Sequence, residues 1–150
     1  LNGPDDNEDA GWRERGYRMA LEKHGIPFDP ALLVPGDFSS RRSAQTIREV
    51  LQSGLQFDSI FSGDDMAGVG ALSALREAGL RVPQDVKLVG FDDIPLARHL
   101  TPPLTTIHAP TEEVGRIATD LLVRLVRRET VESQVLLPTE LTIRQSCGCG

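Results

Sequence analysis

The feature that most constrains this chain is an alternation of short, mostly apolar stretches with helix-length amphipathic segments. Strands that are apolar along their whole length, and not only at every second residue, are those buried on both faces. That arrangement belongs to a parallel sheet covered by helices. Phe57 to Ser62 reads as one such strand, with Asp64 or Asp65 capping a helix to about Ala78–Gly79. Val86 to Phe91 is the next strand, bounded by Pro83 and the Asp92–Asp93 pair. Upstream, Leu1-Asn2-Gly3-Pro4 reads as the exit from a strand whose body is absent, so a longer protein is expected. Asp9 is placed to cap a helix from about Ala10 to His24, with Gly25 as its stop. Ala31 to Val34 is then a second strand, Pro35-Gly36-Asp37-Phe38 a turn, and Ser39 or Ser40 the start of a helix to Ser53–Gly54.

After Phe91 the rhythm changes. Pro95 to Pro103 is irregular, Leu104 to Ile107 is extended, and Thr111 to Arg128 carries a wide apolar stripe at helical spacing, with Leu121, Leu122 and Leu125 in it. Val135 to Leu137 and Leu141 to Ile143 read as two extended segments broken by Pro138.

With 150 residues the chain is one globular domain, and 39% apolar against 25% charged residues puts disorder aside. Its apolar runs are too short to cross a bilayer, and no secretory signal is expected. Lys+Arg 16 against Asp+Glu 22 leaves a net charge of -6, which does not supply the electrostatic footprint of a nucleic-acid surface. Cys147 and Cys149 cannot make a disulfide framework and favour a cytosolic setting. No metal site is expected, because His24, His99 and His108 lack ligand spacing. Gly68-Val69-Gly70 sits inside a helix, so it is not a dinucleotide loop, and neither Lys23 nor Lys87 follows a strand as a receiver-type magnesium site would need. Neither catalysis nor a cofactor is expected.

In an open parallel sheet, the loops after the strands converge on one crevice. The side chains placed there are Asn7, Asp9 and Arg13, then Asp37–Phe38, then Asp64–Asp65, then Asp92–Asp93. An arginine, an aromatic ring and several carboxylates at one edge can stack on and hydrogen-bond a polyhydroxylated ring or a base. Plainer roles compete: Asp64 or Asp65 as a helix cap, Asp92–Asp93 as turn residues, Phe38 as core, Arg13 paired with Asp9 one helical turn earlier. The helix from Asp65 to Ala78 is apolar on more faces than a sheet can cover. A homodimer through Met66, Val69 and Leu72 is therefore expected.

These residues fall in strings that together resemble one family: GP at Gly3-Pro4, R..GY..AL from Arg13 to Leu21, GDF from Gly36 to Phe38, and SGDDMAGVGALSALREAGLRVPQDVKLVGFDD from Ser62 to Asp93. TPPLTTIHAP follows from Thr101 to Pro110, then G.IA..LL from Gly115 to Leu122 and LPTELTIRQSC from Leu137 to Cys147. In order and spacing the chain resembles the effector-binding region of the lactose-repressor (LacI/GalR) family of transcription regulators. The resemblance implies an α/β fold, a parallel sheet flanked by helices in a type I periplasmic-binding-protein-like lobe, here the C-terminal lobe of two. It implies that 1–108 form this lobe, that 109–137 cross to an N-terminal lobe absent from the chain, and that 138–150 return. By position it assigns Arg13, Phe38, Asp64 and Asp92 to the effector, with Asn7 and Asp9 beside them where the purine-responsive member has an arginine and a threonine. Ala109 stands where the sugar-responsive member has an amide. A neutral sugar or nucleoside-like effector is thereby favoured. The resemblance further implies a cytoplasmic homodimer, with no part in a membrane, that meets operator DNA only through an N-terminal helix-turn-helix missing here. The alternative is an extracytoplasmic sugar-binding component of a transporter.

Overall fold

Capping side chains set most of the helix boundaries in the computed structural model, which describes residues 1–149. The first helix, α1 (Glu8–Lys23), begins two residues earlier than the sequence suggests: Asn7, and not Asp9, is its cap, accepting the Ala10 amide at 3.0 Å. Asn7 has the extended backbone a cap needs, and Asp9 lies already inside the first turn. Ser39 caps α2 (Ser40–Ser53), which stops at Gly54 in the left-handed conformation (φ 76°). Asp64 caps α3 (Asp65–Glu77) through the Ala67 amide at 2.7 Å.

The sheet contains β1 (Ser59–Phe61), β2 (Lys87–Asp92), β3 (Thr105–His108) and β4 (Glu140–Thr142), in that spatial order. The first three run parallel, as expected, but β4 pairs antiparallel with β3, placing Thr106 opposite Thr142. Beyond β1, the Leu1 nitrogen donates to the Phe61 carbonyl at 2.9 Å, and Asn2 makes a single parallel bridge with Pro35.

Two expected strands are not formed. Pro30–Leu32 is a 3-10 turn, because Asp29 accepts the Ala31 amide at 2.9 Å and Pro30 sits where a helical first turn favours it; this local bonding outcompetes a ladder for Ala31 to Val34. Val135 to Leu137 stays irregular, with Leu136 81% exposed and no strand beside it to satisfy its backbone.

The core lies between the sheet and the helix pair α2–α3, with Leu75, Leu88 and Leu104 fully buried and Ile47, Ile60 and Leu72 around them. The helices meet at backbone distance: a Cβ on Gly70 would stand 2.0 Å from the Ser40 carbonyl oxygen. The glycine inside α3 is therefore a packing requirement. By contrast α4 (Thr111–Val126) buries none of its residues, and Leu122, Leu125 and Val126 are 61%, 53% and 76% exposed. No helix among the described residues is long and apolar enough to cross a membrane.

Candidate functional site

The carboxyl ends of β1 and β2, the amino end of α3 and the first turns of α1 meet at one edge of the lobe. Arg13, on α1, reaches over this edge with its side chain only 17% exposed, and its guanidinium lies 3.8 Å from the Asp92 carboxylate. The guanidinium carbon stands 4.2 Å from the ring centre of Phe91 and 5.2 Å from that of Phe38, so the cation is held between two aromatic rings. It pairs with Asp92 in place of the Asp9 partner one turn away on its own helix.

Phe38 is carried by a turn in which it and Asp37 both have left-handed backbone (φ 51° and 53°). Its ring covers Gly3, where a Cβ would lie 2.2 Å from the ring, and approaches Gly63. These two glycines are what let the aromatic side chain lie flat across the strand ends. Phe38 is thus partly exposed at the edge and outside the buried core.

Asp64 does two things at once. It caps α3, and it faces the Arg13 charge; burial pushes its carboxyl above the usual value, while the Ala67 amide and Arg13 pull the other way. Asp92 is raised for the same first reason, burial, against the pull of Arg13 and with the added repulsion of Asp64, Asp65 and Asp9. Its neighbour Asp93 turns elsewhere, accepting from Arg144 at 2.6 Å and lying 3.2 Å from His108 Nδ1. Arg144 also donates to the Leu104 carbonyl and, through its backbone amide, to Thr105 Oγ1, tying β4 to β3 beneath the turn. Asp92 therefore faces the crevice and Asp93 braces it.

Of the sequence-predicted site residues, Arg13, Phe38, Asp64 and Asp92 are brought together. Asp9 is exposed on α1 and lines a shallow hollow with Trp12, Arg13, Phe61 and Phe91, whereas Asn7 is engaged in capping. A second, more enclosed hollow of about 460 Å³ lies under α1 against the free side of β1. Its walls are largely hydrocarbon, including Tyr17, Leu33, Ile47 and Phe57, and it offers little polar convergence. Sequence reasoning missed Phe91, the second ring on Arg13. The signal was present: alternation along β2 puts Phe91 on the face opposite Leu88 and Gly90, the pair turned toward α3. Among the expected dimer residues, Met66 is 39% exposed and Val69 is partly so, but Leu72 is 7% exposed and packs in the core. One helix face points Leu72 to the sheet, so it cannot serve that surface. Among the described residues no group of three or more His, Cys, Asp or Glu is arranged to hold a metal ion.

Residues 1–147 match the family described as periplasmic binding protein-like domain. The ribose operon repressor of Escherichia coli (strain K12) is 37% identical over 145 residues, covering 97% of this chain and 44% of that protein. The solved structure of a transcriptional regulator CelR–cellobiose complex superposes with a TM-score of 0.90 at 38% identity, covering 97% of this chain and 45% of that one. A lac repressor dimer bound to operator and the anti-inducer ONPF superposes at 0.87 with 30% identity, over 97% of this chain and 50% of its own. The chain thus spans about half the length of the proteins it matches. With the match running from residue 1 to residue 147, the chain belongs to the periplasmic binding protein-like family, in the branch of the LacI/GalR effector-binding domains.

Proposed function

We propose that this chain is the C-terminal effector-sensing lobe of a LacI-type transcription regulator and that it holds a neutral, hydroxyl-rich ligand against Arg13, Phe38, Asp64 and Asp92. One observation carries the reading: a single arginine, clamped between Phe38 and Phe91, stands among the carboxylates of Asp92, Asp64 and Asp9. Acceptors outnumber donors there, which suits hydroxyl groups that donate and repels an anion. The aromatic rings offer an apolar surface on which a pyranose or furanose ring can lie. The printed names of similar proteins, a ribose operon repressor and a regulator complexed with cellobiose, support a sugar and favour the regulator over a transport component.

In this reading the second wall of the cleft comes from an N-terminal lobe, and 109–137 cross to it. The exposed apolar side of α4, with Leu122 and Leu125, supports the crossing. Ligand closes the two lobes, and the lobe arrangement it favours shifts the spacing of DNA-binding heads carried outside this chain. The protein is a cytoplasmic homodimer with Met66 and Val69 in its interface and performs no covalent chemistry.

The test is calorimetry on the natural full-length protein with cellobiose, D-ribose and adenosine. Binding of a sugar, released unchanged and accompanied by altered operator affinity, is expected. Binding of adenosine alone, or chemical turnover of the sugar, overturns the reading.

A further inference from the structure

The carboxylate next to the α3 cap has no solvent contact and no part in the crevice. Asp65 is 0% exposed. Thr106 Oγ1 donates to its Oδ1 at 2.6 Å, and the backbone amide of Ile94 donates to its Oδ2 at 2.9 Å. A Cβ on Gly90 would stand 2.1 Å from Oδ1, so β2 gives up a side chain to make room for this group. Burying a carboxylate is costly unless its acceptors are filled, and here the two donors come from different elements, β3 and the segment that leaves β2. Burial still pushes its carboxyl above the ordinary value, with Asp93 and Asp64 adding to the rise.

The segment that Asp65 grips is the one that displays Asp92. Asp92 (φ 107°) and Asp93 (φ 58°) both occupy positive-φ backbone, which a residue with a Cβ keeps only where its surroundings enforce it. Asp93 is held from one side by Arg144. From the other side, Ile94 is the next residue along and Asp65 holds its amide. We propose that Asp65 is a positioning residue of the effector site: bound to Thr106 and the Ile94 amide, it clamps the Asp92–Asp93 turn in the strained form that presents Asp92 beside Arg13. The inference rests on the reading that Asp92 meets the effector, and it assigns Asp65 a role that requires no ligand contact.

The experiment uses the natural full-length protein with Asp65→Asn, which keeps the shape but replaces one carboxylate oxygen by a donor. Ser146→Ala is the comparison: Ser146 is equally buried and bridges the Leu88 carbonyl and the Thr105 amide, away from the turn. Amide hydrogen exchange at Ile94 is followed by NMR without ligand, together with thermal midpoint and affinity for cellobiose and D-ribose. Asp65→Asn is expected to speed Ile94 exchange about tenfold or more and weaken sugar binding by a similar factor, while Ser146→Ala lowers the midpoint and leaves both within about twofold. Thr106→Val, which removes one of the two donors, is expected to move both readouts the same way and decides the matter where Asp65→Asn does not fold. Equal effects from Asp65→Asn and Ser146→Ala, or unchanged Ile94 exchange, overturn the proposal. Failure of every sugar to bind overturns the functional reading instead, and Ile94 exchange still decides the clamp.

Discussion

Two adjacent aspartates with the same side chain and similar backbone do opposite jobs here, because only one of them finds a partner beneath the turn. Asp93 meets Arg144 at 2.6 Å, whereas Asp92 has Arg13 at 3.8 Å and three further carboxylates nearby. A charged acceptor paired with a hydroxyl contributes about 1.5 to 3 kcal/mol, roughly tenfold to more than a hundredfold in affinity. Asp92→Ala in the full-length protein is accordingly expected to weaken sugar binding by that factor and to leave the thermal midpoint nearly unchanged. A collapse of the fold without selective loss of binding would instead make Asp92 a turn residue. Acid should reveal the same group. Burial raises its carboxyl above the usual aspartate value, so the charged acceptor is lost at a higher pH than for an ordinary aspartate. The stability linked to a raised carboxyl runs the other way: it is full below the unfolded value and is lost as pH rises through the folded one. On acidification from pH 7, sugar affinity is therefore expected to fall before the thermal midpoint does; calorimetry and thermal unfolding at matched pH values check this, and affinity that stays flat until the protein unfolds would contradict it.

At the scale of elements, glycine separates packed helices from unpacked ones. In α3 the backbone of Gly70 approaches Ser40 so closely that any Cβ collides with its carbonyl, while Gly115 on α4 has nothing within 4 Å. Overfilling a tight contact costs about 1 to 3 kcal/mol, whereas replacing glycine by alanine at an open helical position gains about 0.5 to 1 kcal/mol. Gly70→Ala is expected to lower the thermal midpoint by ~2 to 10 °C and Gly115→Ala to leave it level or raise it. Equal responses at the two sites would show that α2 and α3 are not locked together as the backbone distances indicate. The same contrast explains the lobe's lopsided burial: α2 and α3 carry the core, and α4 holds an apolar stripe out to solvent.

For the whole molecule, charge and exposed apolar surface set what it can meet. A net charge of -6 gives the lobe no electrostatic attraction for DNA, in keeping with the proposal that operator contact belongs to another segment of the full protein. Met66, 39% exposed at the start of α3, and the partly exposed Val69 are the outward apolar residues of that helix. Full-length protein carrying Met66→Glu with Val69→Asp is expected to sediment as a monomer at tens of micromolar (~10 to 50 μM), where the parent is expected to sediment as a dimer, since charge in an interface core leaves ions unpaired. Dimers that survive both substitutions would place the interface elsewhere.

Patterns local in sequence were legible in advance. The helical period, with a cap at Ser39 or Ser40 and at Asp64 or Asp65, located α2 and α3, the apolar runs located β1 and β2, and the segment ends offered Asn7, Asp9, Arg13, Phe38, Asp64, Asp65, Asp92 and Asp93, among which the family resemblance singled out Arg13, Phe38, Asp64 and Asp92. Each depends on spacing within about one helical turn or one strand, which a chain carries wherever it folds. What the tertiary structure decided depends on partners far away in sequence. Asn7 and Asp9 both had cap chemistry, and backbone conformation selected Asn7; Ala31 to Val34 had strand composition, and a capped 3-10 turn took it. The antiparallel return of β4, the burial of Leu72 and the second ring on Arg13 follow from which surfaces meet. Asp65 illustrates the limit best. In the sequence it is one of two equivalent acids before a helix, and only the fold brings Thr106, 41 residues away, and the Ile94 amide, 29 residues away, to its two oxygens. Burial makes those two hydrogen bonds obligatory, and no local pattern encodes which distant groups will supply them.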